Sequence, residues 1–238
     1  MKAASAAAVT ARGARPTVVY HALRELIVRG QLAPGSRIVE TEVASKLRVS
    51  RTPVRGALQR LQHEGYIIDS PSLQQSRQSV APLTREDAME LFSIVAEIEG
   101  LAARYATLLP VAARETLVRE LTLLNSRLDK ASRAKVPKHD LLYELDERFH
   151  RRYVEAAAGP RLRALHDAVK PQAERYERLY VSLLSRGLAP SVQEHAAIIR
   201  AIRGGDPDQS QRAVQTNWRN AATRLGQVIT NVGERGQW

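Results

Sequence analysis

Asp146 and His150 are four residues apart, so on a helix their side chains sit one above the other on one face. Leu142, Phe149 and Tyr153 border that face, which turns it toward an interior. His195 shares a helical face with Ile198, Ile199 and Ile202, and Asn217 shares one with Val214, Trp218 and Ala221. Four polar side chains from three helices are thus expected inside an apolar bundle, where each costs about 1–3 kcal/mol if left unpaired. A carboxylate with imidazoles and open positions suits a divalent ion such as zinc, nickel or manganese. The same residues also fit a simpler account, in which an inward histidine is a hydrogen-bonded core residue and Asp146–His150 is a helix-surface pair. A metal-dependent hydrolase is a further alternative, but no obvious general base accompanies these residues.

A second chemistry lies in SRTPVRGALQRLQHEG, residues 50–65. Val54, Leu58 and Leu61 follow one helical face, and Arg51, Arg55, Gln59 and Gln62 occupy an adjacent, outward one. The two arginines are one turn apart at the helix start. An arginine fork pairs bidentately with guanine O6 and N7 or with phosphate. Thr52 can donate to phosphate, and the free amides of the first turn favour anions. Taken alone, the segment also fits an ordinary solvated basic face.

Charge distribution favours a polyanionic partner. The net charge is +11, of which residues 1–82 hold +7 and the other 156 residues +4. Hydrophobic residues make up 44% of the chain, enough for a buried core. Cysteine is absent, which excludes disulfides and cysteine metal sites. No apolar stretch is long enough to span a bilayer, so no membrane partner is expected. Residues 1–15, alanine-rich and basic, lack the apolar middle of a secretory signal and read as a disordered tail.

The elements that must position these residues fall into two groups. Thr17–Arg29 reads as a helix, followed by a turn at Leu32–Gly35, a short helix at Glu40–Leu47 and a tight turn at Arg48–Ser50. Ser50 is placed to cap the next helix, which runs to about His63 with Gly65 closing it. Strand candidates follow at Tyr66–Asp69 and Gln78–Ala81. Three helices with a tight turn between the second and third, then a hairpin, form a winged helix-turn-helix over 16–82.

From Thr84 the pattern becomes helical throughout. Thr84 and Asp87 make a capping-box-like start, and Leu91, Phe92, Val95, Leu101, Ala102 and Tyr105 form one stripe. Further helices are expected at about 111–132, 138–157, 161–186, 191–203 and 207–231, separated by proline and glycine signals. The chain is therefore expected to be mainly α, an N-terminal winged helix-turn-helix plus an all-α bundle over 83–231 and a tail at 232–238.

The run PGSRIVETEVASKLRVSRTPVRGALQRLQHEGYI closely resembles the DNA-binding domain of the GntR regulators, over Val18 to Ile68. The resemblance implies that Arg51 and Arg55 read the operator and that Thr52 contacts phosphate. Thr41 lies where some members place another DNA-contacting side chain. Arg77 stands where the family wing usually carries glycine, and could enter a narrow minor groove.

The helical half resembles the FCD ligand-binding domain of the FadR subfamily through Asp146-x-x-Phe149-His150, Glu194-His195 and a terminal helix with Asn217. Metal-binding members use one Asp and three His, which implies ligands at Asp146, His150 and His195, with Asn217 at the position of the third histidine. Many members carry an arginine one turn before a glutamate matching Glu99. Here that position is Val95, with Arg104, Arg148 and Arg152 as candidate effector contacts. The implied protein is a cytoplasmic bacterial regulator, most often a repressor in this family. It would be nucleoid-associated when bound to operator DNA, homodimeric, and controlled by a small carboxylate metabolite. A DNA-binding protein with no ligand is the remaining alternative.

Overall fold

The computed structural model describes residues 16–70, 77–183 and 188–236, which form two compact units. The first consists of Met1–Thr84 with Glu234–Trp238, and the second of Arg85–Gly233.

In the first unit, helices α1 (Pro16–Val28), α2 (Glu40–Leu47) and α3 (Arg51–His63) precede the strands β1 (Ile67–Ser70) and β2 (Arg77–Val80). Val19, Leu23 and Ile27 of α1 pack with Val54, Leu58 and Leu61 of α3 and with Ile67 and Val80 of the hairpin. The strands pair antiparallel with Ile67 opposite Val80. Between α2 and α3, Arg48 takes a left-handed conformation (φ 55°), and Val49 N–H donates to Ala44 C=O at 3.0 Å. This turn fixes the angle at which α3 leaves α2. Ser50 holds the N-cap position of α3, but its side chain makes no capping hydrogen bond, contrary to the expectation from its type. Gln62 does not face free solvent either, since it donates to Asp69 and accepts from Gln78, tying α3 to the hairpin.

The second unit is all-helical among the described residues: α4 (Arg85–Ala106), α5 (Val111–Ser132), α6 (His139–Ala157), α7 (Pro160–Leu183), α8 (Ala189–Gly204) and α9 (Pro207–Val232). Helix α4 packs against α6, α7 and α9, and its buried residues cover more than one stripe. At Gly100 it runs close to α9, where a Cβ would stand 3.2 Å from Gln211 Cγ. Tyr105 falls outside the core, at 40% exposure. Pro171 lies inside α7, where it removes one intrahelical donor. Asp206 caps α9 by accepting from Gln209 N–H at 2.9 Å. Among the described residues, no helix is long and apolar enough to cross a membrane.

Candidate functional site

The bundle interior is organised around one carboxylate. Glu99 of α4 is fully buried. It accepts from His150 Nδ1 (2.7 Å), Tyr153 Oη (2.7 Å) and Trp218 Nε1 (2.9 Å) on Oε2, and from His166 Nε2 (3.1 Å) on Oε1. Helices α4, α6, α7 and α9 all contribute. Burial alone would push this carboxyl up, but His150, His166 and Lys170 hold it well below the usual range, so it is ionised. Glu99 in return raises His150 against the effect of burial. With Nδ1 engaged, His150 has Nε2 left to offer.

Asp146, His150 and His195 each offer one ligand atom, and these atoms lie within 4.8 Å of one another. Both histidines are buried, whereas the Asp146 side chain keeps 26% exposure, so the cluster meets solvent on the Asp146 side.

The protonation of His195 follows from its neighbour. Asn125 Nδ2 donates to Val192 C=O at 3.0 Å, which fixes the amide so that Oδ1 faces His195 Nδ1 at 3.2 Å. Nδ1 therefore carries the proton, and Nε2 is a bare lone pair. Burial, reinforced by His150, holds His195 well below the ordinary histidine value, so it stays neutral. Among the described residues its Nε2 is buried without a hydrogen-bond partner, 3.5 Å from Asp146 Oδ1. Burial raises the Asp146 carboxyl above its ordinary value; in its ionised form Asp146 Oδ1 and His195 Nε2 are two acceptors facing each other, and a cation between them would remove the repulsion. The donor set and its outer partners Glu99 and Asn125 thus fit a divalent ion.

Asn217 is buried on α9, and its Nδ2 donates to Glu194 Oε2 at 2.9 Å. The same carboxylate accepts from Asn220 and Arg224, clamping α8 to α9. Only Oδ1 of Asn217 remains as a ligand atom.

The arginines weighed as effector contacts are not brought to this cluster. Arg104 pairs with Asp208 across the α4–α9 surface, Arg148 is exposed, and Arg152 donates to Glu120 at 2.7 Å. Val95 is buried. A cation does lie within the bundle, at Lys170 of α7, which pairs with Glu177. Sequence reasoning missed this pair, together with His166 and Asn125. The signal was present on α7, where His166, Lys170, Ala173 and Glu177 follow i, i+4, i+7, i+11 spacing.

On the first unit, Arg51, Thr52 and Arg55 are exposed at the start of α3, and Thr41 is exposed in the first turn of α2. Both arginines converge on Glu40, the first residue of α2. Arg51 Nε donates to Oε1 at 2.9 Å, and Arg55 donates through Nε (3.1 Å) and a terminal nitrogen (3.2 Å). The arginines lower the Glu40 carboxyl below its ordinary range. Arg77 opens β2 opposite Ser70, and its side chain lies outside the described residues, as do residues 1–15.

A helix-turn-helix with a two-stranded wing and two exposed arginines at the reading-helix start defines a DNA-binding protein. Comparison with known proteins gives the family. Residues 16–71 match the bacterial regulatory proteins of the gntR family, and residues 90–220 match the FCD domain. The chain belongs to the GntR family and is a DNA-binding transcriptional regulator with an FCD effector-binding domain. It is 29% identical over 203 residues to an HTH-type transcriptional regulator from an unstable DNA locus of Streptomyces ambofaciens, covering 84% of this chain and 80% of that one. It is 26% identical to the HTH-type transcriptional repressor NanR of Klebsiella aerogenes, covering 86% and 83%. Among solved structures, Escherichia coli McbR/YncC shares the fold with a TM-score of 0.66 at 19% identity, over 90% of this chain and 98% of that one.

Proposed function

We propose that this protein is a homodimeric, metabolite-gated repressor acting in the cytoplasm. A divalent ion held by Asp146, His150 and His195 would form part of its effector pocket. The observation that carries the pocket assignment is the bare Nε2 of His195 facing Asp146 Oδ1. A bound ion would supply positive charge and open coordination positions to a carboxylate ligand. Asn217 Oδ1 is a fourth ligand candidate, weaker than imidazole. The protein side of the site is preset: Glu99 orients His150, Asn125 orients His195, and Phe149 and Trp218 pack beside the imidazoles.

On the operator side, Arg51 and Arg55 exchange Glu40 for guanine or phosphate, while Thr52 and Thr41 contact the backbone and Arg77 reaches the minor groove. One reading helix covers only a few base pairs, so two-fold pairing supplies the rest of the recognition. Effector binding orders the bundle and shifts how the two DNA-reading heads of the dimer are spaced. The family consists of regulators, which points away from catalysis.

The test uses tag-free protein. Elemental analysis should find stoichiometric metal in the wild type and none in His150→Ala/His195→Ala, and added zinc should raise the melting temperature of the wild type alone. A metal-free wild type that is unresponsive to zinc, nickel and manganese would overturn the metal assignment. Anisotropy with DNA from upstream of the protein's own gene tests the repressor assignment.

A further inference from the structure

Glu40 lies between the two reading arginines, and they hold it in different ways. Arg51 donates to Glu40 Oε1 through Nε alone, at 2.9 Å. Its two terminal nitrogens, the end of the fork, make no hydrogen bond among the described residues. Arg55 lies side-on, with Nε donating to Oε2 at 3.1 Å and a terminal nitrogen to Oε1 at 3.2 Å. Oε1 thus accepts two hydrogen bonds and Oε2 one. A carboxylate has room for about four, so Oε2 keeps a place for another donor, on a side chain that is 22% exposed.

Both arginine side chains are 61% exposed, and ion pairs so open to water contribute little to stability. What this one supplies is direction. Glu40 opens α2, and the arginines stand one turn apart at the start of α3, so one helix orients the long side chains of the other. With Nε held, the end of the Arg51 fork stays open, both terminal nitrogens together. That edge is the one that guanine O6 and N7 accept from.

We propose that Glu40 is a specificity-determining residue of the DNA-reading surface: it presents the Arg51 fork to one guanine and itself accepts from the amino group of a cytosine in the adjoining base pair. The proposal rests on the reading of this unit as an operator-binding domain and narrows one step of it. At a matched site Arg51 keeps Glu40, and the exchange falls to Arg55. Successive base pairs are about 3.4 Å apart along the duplex, comparable with the reach from a guanidinium to the carboxylate bonded to it. In the major groove cytosine offers the N4 donor. Thymine O4 and guanine O6 and N7 are acceptors, which a carboxylate repels, and adenine sets its N7 acceptor beside its N6 donor. Glu40 therefore favours cytosine at that place and disfavours thymine and guanine.

The experiment binds a random-sequence duplex library to full-length wild type, Arg51→Ala and Glu40→Ala, and sequences the DNA retained. Wild type should enrich two adjoining G·C pairs, one read at its guanine and the other at its cytosine. Arg51→Ala should lose the preference at the first pair. Glu40→Ala should lose it at the second, weaken it at the first and leave other positions unchanged, with circular dichroism showing the wild-type fold. In anisotropy titrations, changing the second pair to T·A should weaken wild-type binding about fivefold or more and leave Glu40→Ala unaffected. The proposal is overturned, with the operator reading still in place, if Glu40→Ala selects the wild-type motif or if that motif lacks the adjoining G·C pair. A first-pair preference that survives in Arg51→Ala overturns it as well. A wild type that enriches no sequence overturns both readings. If Glu40→Ala does not fold, Glu40→Gln replaces it. The amide adds a donor, so the second pair should widen to accept thymine, whose O4 is an acceptor, and an unchanged preference there would overturn the proposal.

Discussion

The imidazole of His195 lies flat on the ring of Phe149, with centroids 3.9 Å apart and planes 8° from parallel. Phe149 directly precedes His150 on α6, so one helix carries a metal-ligand candidate and the surface that fixes another. Stacking sets the tilt of the His195 ring, and Asn125 sets which nitrogen is bare. Rings held this way lose little freedom on taking a ligand.

Asn125→Leu should therefore weaken zinc binding about 10–100-fold without touching any ligand atom, the usual cost of losing an outer hydrogen-bond partner. Competition against a zinc-sensitive dye measures this directly. Affinity equal to the wild type would show that Asn125 does not set the His195 tautomer.

Arg55→Ala should weaken operator binding about tenfold or more and leave the fold intact, given about 1–3 kcal/mol for a bidentate base contact. Anisotropy at fixed salt reads the affinity, and circular dichroism the fold. Unchanged affinity would remove Arg55 from the reading surface.

Light scattering at micromolar concentration should give twice the mass of one chain, and the stoichiometry on an operator fragment should be two chains per site. A monomer that binds one-to-one would refute the dimer.

Burial raises the Glu177 carboxyl to about 7, from an ordinary value near 4.5. Its folded value lies above its unfolded one, so the stability it contributes is present at low pH. That stability is lost as pH rises through the window from about 4.5 to about 7. Denaturant unfolding of metal-free protein at pH 5 and pH 8 should show wild type losing more stability than Lys170→Met/Glu177→Gln. Equal losses would mean that Glu177 titrates normally.

Much of this architecture was legible in the residues themselves. Proline and glycine signals divide the bundle where its helices end, as at Pro110, Pro137 and Gly159–Pro160. Asp146 and His150 are visible as a pair because four-residue spacing is a local property. The hub at Glu99 is not local, since its partners lie 51 to 119 residues away. What the sequence does show is a lone acid among Val95, Ala96, Ala102 and Ala103. His166, Lys170, Ala173 and Glu177 share a spacing that marks one face of α7, but nothing in the local sequence says that α4, α6 and α9 pack against this helix. Ser50 has the type of a cap, yet its side chain makes no capping hydrogen bond, for which the local structure offers no account.

The contact of Arg51 and Arg55 with one carboxylate also bears on how the protein competes with dissolved ions. Two guanidinium groups and Glu40 approach DNA as a unit of net charge +1, not +2. Cations displaced from the duplex follow the net charge that arrives, so this unit should displace about one cation where two free arginines would displace two. Operator affinity would then fall less steeply with added salt than the number of arginine contacts suggests. Glu40→Gln should steepen that dependence by about one unit of slope.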